Sequence, residues 1–181
     1  MLLAVLIFSH NAFAYNLFGG RWPNQPHRGC CAQLSLYYSS GLKSYDKTGW
    51  QNGQNAWNAS SANIVYLTTT DTSNPIYLQD GYYNNVSWDG VTYLYPCNSC
   101  TYSTANVVMN WYFTGRYSSV GSYSTGEIQS VAAHELGHLL GLAHNNLSSC
   151  VLMNGFTDQR WVQCQIKTPQ SDDANGVNAL Y

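Results

Sequence analysis

An α+β domain built on a five-stranded sheet is what this sequence of 181 residues predicts. Three observations carry that prediction. Five segments have the alternation or the β-branched and aromatic content of strands, a later segment repeats apolar residues at helical spacing between a start and a stop signal, and no repeat or linker divides the chain.

The first strand is "AQLSLYY" (32–38), which alternates as a half-buried strand should. Further strands are expected at "ANIVYLTT" from Ala62, "PIYLQD" from Pro75, "GVTYLY" from Gly90 and "ANVVMNWYF" from Ala105. Clusters of Asn, Gly, Ser and Asp separate them. Between the first two lies "DKTGWQNGQNAWNAS", a weak helix carrying Trp50 and Trp57, with two glycines that lower its propensity.

The strong helix follows Ser124. With Glu127 three residues later, Ser124 makes a capping box, and Gly141 stands where a C-terminal cap belongs. Ile128, Ala132, Leu136, Leu139 and Leu140 form one stripe for the core. His134 and His138, one turn apart, share a neighbouring face, so both imidazoles can hold one metal ion from the same side while Glu135 acts on water there. A third ligand completes such a site. A distant glutamate is excluded because Glu135 is the last in the chain; Asp158, Asp172 and Asp173 remain open, and His144 is nearest once Gly141 reverses the backbone. Three imidazoles leave a fourth position on Zn²⁺ for water, as catalytic sites require.

Composition narrows the partners. Net charge is -2 and only 9% of residues are charged, so there is no basic stripe for nucleic acid or an anionic membrane. Residues 1–14 read as a signal peptide: an apolar run from Leu2 to Phe8, too short to span a bilayer, precedes Ala12-Phe13-Ala14, a small-residue cleavage pattern. The catalytic domain is then 15–181 and the mature protein is secreted. Six cysteines in an exported chain are expected as disulfides. Cys97 and Cys100 would bridge locally in a turn, Cys150 and Cys164 across a short loop, and Cys30 and Cys31 stay unassigned. Asp80-Gly81 and Asp89-Gly90 could help bind a structural Ca²⁺, and turns account for them equally.

His134-Glu135-x-x-His138-x-x-Gly141-x-x-His144, with Met153 nine residues on in "CVLMN", resembles the extended zinc motif and Met-turn of metzincin metalloproteases. The C-terminal "DDANGVNALY" is similar to the end of a matrixin catalytic domain. The resemblance implies a twisted, mixed sheet with an active-site helix and a C-terminal helix. It implies His134, His138 and His144 as zinc ligands, Glu135 as general base and Met153 as an apolar floor beneath the metal. It further implies an endopeptidase that binds protein or peptide substrates extended along an edge strand, here "GVTYLY", beside an apolar pocket walled by the segment between Cys150 and Cys164; a monomer is expected. A new α-amino group on Tyr15 would pair with Asp172, unless Asp172 and Asp173 serve only the first turn of a helix. The sequence departs from the family pattern at Asn154-Gly155 after Met153, at Asn145 after His144, and in lacking histidines for a second zinc, since His27 stands alone. A cysteine-switch propeptide is not expected. Use of the scaffold for binding alone, or as a zinc-binding inhibitor or adhesin with a tyrosine-rich surface, is the alternative to an enzyme.

Overall fold

A computed structural model describes residues 15–23, 26–27, 31–96, 101–115, 122–148 and 150–181. The signal-peptide segment, Cys30 and the Cys97–Cys100 pair lie outside the described residues. In chain order the elements are β1 (Asn16–Leu17), β2 (Pro26–His27), β3 (Cys31–Tyr38), α1 (Ser44–Asn58), β4 (Ile64–Thr69), β5 (Ile76–Gly81), β6 (Gly90–Tyr95), β7 (Thr104–Asn110), α2 (Trp111–Thr114), α3 (Thr125–Leu139), β8 (Leu142–Ala143), a π-helical turn (Asp158–Gln163) and α4 (Ser171–Asn178). No described helix is long and apolar enough to cross a membrane.

The expected five strands form one mixed sheet in the order β4-β3-β5-β7-β6, with the two-residue β2 beside the start of β3. β3 runs parallel to β4 and β5, and β5 parallel to β7; β6 turns back antiparallel on β7 and forms the sheet's edge. One face buries Leu34 and Leu36 of β3, Tyr66 of β4, Leu78 of β5 and Val107 and Met109 of β7. Alternation puts their neighbours on the opposite face.

α1 and α3 cover the buried face, and the glycines that weaken α1 explain how closely they pack. A Cβ on Gly53 would stand 2.9 Å from the backbone nitrogen of Ala133, so only glycine admits α3 at that depth. Trp50 and Trp57, one heptad apart, fill the contact with no exposed surface. Three of the donors buried there find backbone acceptors: Trp57 Nε1 donates to Ala133 O at 2.8 Å, Tyr66 Oη to Leu136 O at 2.6 Å and Trp22 Nε1 to Leu139 O at 2.7 Å, whereas Trp50 Nε1 has no partner among the described residues. The conformational cost of glycine, about 1 kcal/mol per residue in a helix, is thus offset by contact with α3.

One predicted element is corrected. The strand expected from Ala105 through Phe113 ends at Asn110, and Trp111–Thr114 turn into α2. Asn110 is the reason: its side-chain oxygen accepts from the Tyr112 backbone N–H at 3.1 Å, while its amide donates to Tyr83 O and Trp88 O. A capping side chain overrides the strand propensity of the aromatic residues behind it.

Cys150 and Cys164 are bonded as expected, with Cα atoms 5.3 Å apart. Closing a loop of about fifteen residues stabilises the fold by ~3 kcal/mol on chain-entropy grounds. α4 is present, and its Asp173 reaches beyond its own helix. Its carboxylate accepts from the backbone N–H groups of Leu152, Met153 and Gln170 at 3.1, 3.1 and 2.7 Å. Asp173→Ala leaves the donors of Leu152 and Met153 buried without acceptors, so thermal or urea unfolding should register a loss on the order of 3 kcal/mol. A variant as stable as wild type would show that water replaces the carboxylate.

Candidate metal centre and its pocket

α3 begins with the expected capping box: Ser124 Oγ accepts from Glu127 N at 3.2 Å, and Glu127 Oε2 accepts from Ser124 N at 3.2 Å. Near its other end His134 and His138 point to one side. Gly141, at φ +98°, supplies the left-handed turn that a side chain would strain, and its Cα faces Gly20 O so closely that a Cβ would stand 2.6 Å away. The chain then leaves through β8, which pairs antiparallel with β1, and His144 returns toward α3.

The three histidines meet. One ligating nitrogen from each lies within 4.8 Å of the others. His134 Nδ1 donates to Leu152 O and His138 Nδ1 to Leu142 O, both at 2.7 Å; a carbonyl only accepts, so both rings carry their proton on Nδ1 and turn the Nε2 lone pair inward. The Nε2 atoms of His134 and His144 are 3.2 Å apart. Zinc–imidazole bonds of about 2.0–2.1 Å at a tetrahedral angle would place two nitrogens ~3.3 Å apart, so the cluster fits one such ion. Burial holds His134 well below the ordinary imidazole pKa and His138 at about 3, which keeps both in the neutral form that binds metal.

Both departures around this cluster have a structural use. Gly155 clears the way for His144, since a Cβ there would stand 2.9 Å from His144 Nδ1. Asn154, fully buried, accepts from Phe156 N at 2.8 Å and donates to Ser148 O at 3.0 Å. Asn145 donates from its backbone to Met153 O at 2.8 Å and from its side chain to Asp172 Oδ2 at 3.0 Å. Met153, buried, sets its sulfur against Gly137 of α3.

The aspartates weighed as ligands are elsewhere. Asp172 holds Asn145, Asp173 holds the backbone of the Met153 turn, and Asp158 is exposed on the pocket wall. Of the two turns considered for calcium, Asp80 accepts from Lys43 N at 2.6 Å, and Asp89 Oδ2 accepts from Thr157 Oγ1 at 2.6 Å and Tyr123 Oη at 3.0 Å.

Glu135 lies beside the imidazoles with 3% of its surface exposed. Burial pushes its carboxyl up to about 8, while a hydrogen bond from Thr92 and the charge of Arg160 pull the other way. His134, Glu135 and His144 open onto a pocket of about 520 Å³, walled by Trp88, Tyr123 and Phe156 but also by Asp89, Thr157 and Arg160. The pocket is therefore of mixed polarity, not the apolar one the family resemblance implied. Arg160 is 1% exposed and tied down: Nε donates to Ser130 Oγ at 2.9 Å, Nη1 to Asn154 O at 2.6 Å and Nη2 to Thr157 Oγ1 at 2.9 Å. Arg160 and Thr92 escaped the sequence reading. An arginine inside a disulfide-closed loop next to the Met-turn, in a chain so poor in charge, was the available signal for the first; the second had none.

The sequence model of the matrixin family matches residues 44–181. Comparison with curated proteins gave no match. Among solved structures the chain is similar to two of myroilysin, at 20% and 21% identity, TM-scores of 0.46 and 0.41, covering 72% and 79% of this chain and 54% and 58% of those. It is also similar to high choriolytic enzyme 1, a hatching-enzyme zinc protease of the medaka fish Oryzias latipes, at 14% identity and TM-score 0.41, covering 72% of this chain and 52% of that one. The chain thus spans about half the length of these structures.

Proposed function

The chain belongs to the matrixin family of peptidases, and from that premise we propose that it is a secreted, monomeric, zinc-dependent endopeptidase in which Glu135 is the general base. One observation carries this reading: three convergent imidazoles, two fixed as neutral ligands by backbone carbonyls, adjoin a buried carboxylate on the wall of an open pocket. A set of three neutral nitrogens suits Zn²⁺ and leaves a coordination position open. Held there, Zn²⁺ supplies Lewis acidity, acidifying water toward pKa ~7 and polarising a carbonyl.

The chain's own residues would do the rest. Glu135 receives a proton from the attacking water and passes it to the leaving amine, a role that needs a carboxylate whose proton affinity lies near the working pH. Burial of the kind seen at Glu135 raises that affinity, and the +2 charge of a bound ion would lower it again. β6, paired only with β7 among the described strands, offers its open edge to an extended peptide. Asn16 donates to His144 O at 2.8 Å and Tyr15 packs on Gly176 of α4, so that a terminus created at Tyr15 by signal removal would lie against the helix that carries Asp172.

Casein digestion tests the reading. Activity should vanish with a zinc chelator and return with stoichiometric Zn²⁺. Digestion that survives complete metal removal, or zinc-loaded protein that cleaves neither casein nor a broad peptide library, would overturn it and favour a binding role.

A further inference from the structure

Glu135 is enclosed by the edge strand, and this enclosure assigns a role to a residue outside the zinc motif. Thr92 Oγ1 lies 2.7 Å from Glu135 Oε2 and 2.9 Å from the Glu135 backbone oxygen. One hydroxyl has one proton to donate, and the carboxylate, closer and charged when it acts as a base, is the stronger acceptor. Thr92 is the only side chain among the described residues that hydrogen-bonds this carboxylate. Two positions earlier on the same strand, Gly90 closes the other side: a Cβ there would stand 2.7 Å from Glu135 Cγ and 2.8 Å from Oε1. Residues 90 and 92 share one face of β6, the face toward α3.

We propose that Thr92 is a positioning residue for the base: its hydroxyl holds Oε2 so that Oε1 is the oxygen presented to the pocket. The proposal rests on the reading of Glu135 as general base. It adds that the strand expected to carry the substrate main chain also orients the group that handles the proton. Threonine suits this better than serine would, because its β-branch restricts χ1 and keeps the hydroxyl aimed. A peptide added to the edge of β6 would steady that strand, and with it the carboxylate.

Thr92→Val keeps the shape and removes the hydroxyl; Thr92→Ser keeps the hydroxyl. With zinc-loaded protein and a quenched peptide that the wild type cleaves, Thr92→Val should lower kcat on the order of 10- to 100-fold, the scale of a misplaced catalytic group. KM should stay within about twofold, since the hydroxyl does not face the substrate backbone. Thr92→Ser should recover most of the loss. A stability cycle with Thr92→Val, Glu135→Met and the double variant supplies a readout independent of cleavage: coupling of the two side chains should appear as a non-additivity of about five- to tenfold in the folded-to-unfolded ratio. Additive effects, or a Thr92→Val enzyme with wild-type kcat, would overturn the proposal. Equal losses in the valine and serine variants would do so too, since the hydroxyl would then not be the cause. Should the wild type cleave nothing, the protease reading fails while the stability cycle still reports whether the bond exists.

Discussion

Glu135→Gln should abolish most peptide cleavage, by roughly 10²- to 10⁴-fold in kcat, the usual contribution of a positioned general base, while bound zinc stays near one per chain. The asymmetry follows from geometry. The metal cage is made by His134, His138 and His144; the first two rings donate to Leu152 O and Leu142 O and neither is hydrogen-bonded to Glu135. Glutamine is isosteric and its amide oxygen can still accept from Thr92 Oγ1, now 2.7 Å from Oε2. Burial already drives this carboxyl toward its neutral form, up to about 8, so a neutral amide costs the fold little and unfolding should occur at or above the wild-type temperature. Metal analysis, kcat and a melting curve on one preparation suffice. A variant that cleaves at the wild-type rate would remove Glu135 from the mechanism.

What could be read ahead of the structure was whatever depends on local spacing. Two histidines four residues apart must share a helix face, Ser124 and Glu127 must meet across one turn, and Gly141 must be able to reverse the chain; each follows from 3.6 residues per turn and from the φ that glycine alone adopts cheaply. The strands were legible for the same reason, except where Asn110 turned its side chain onto the backbone and converted Trp111–Thr114 to helix. Long-range pairings were not legible. Thr92 and Glu135 are 43 residues apart, Arg160 and Ser130 are 30 apart, and nothing in a short window marks either pair. Gly53 reads as a weakness of α1 until Ala133 is seen pressed against it. The pocket was misjudged on similar grounds. Its wall is drawn from both ends of the fold: Asp89 lies just before β6, while Thr157 and Arg160 lie in the loop closed by Cys150 and Cys164. Only the folded chain shows that polar groups from the two regions meet beside His134.

His144→Ala should separate from Glu135→Gln by losing the metal along with the activity. His134 and His138 alone offer two nitrogens from one helix, half of a tetrahedral set, and zinc is then retained only as weakly as an incomplete cage allows. Because affinity already falls about 10- to 100-fold when a partner behind a ligand is lost, removal of the ligand itself should cost more than that. The fold should tolerate the change: unlike the buried His134 and His138, His144 is exposed, and the contacts that fix its loop do not use its imidazole, running from the Asn16 side chain to the backbone His144 O and from Asn145 N to Met153 O. Metal-free His144→Ala should therefore melt within about 1 kcal/mol of metal-free wild type, the range of surface substitutions, while the zinc-dependent rise in melting temperature disappears. Gly155→Ala offers a graded companion, since its added carbon meets the His144 ring at 2.9 Å and should weaken zinc binding without removing any donor. If His144→Ala kept its zinc and Asp158→Ala lost it, the third ligand would be the aspartate, and the chain around the pocket would have to close differently once metal is bound.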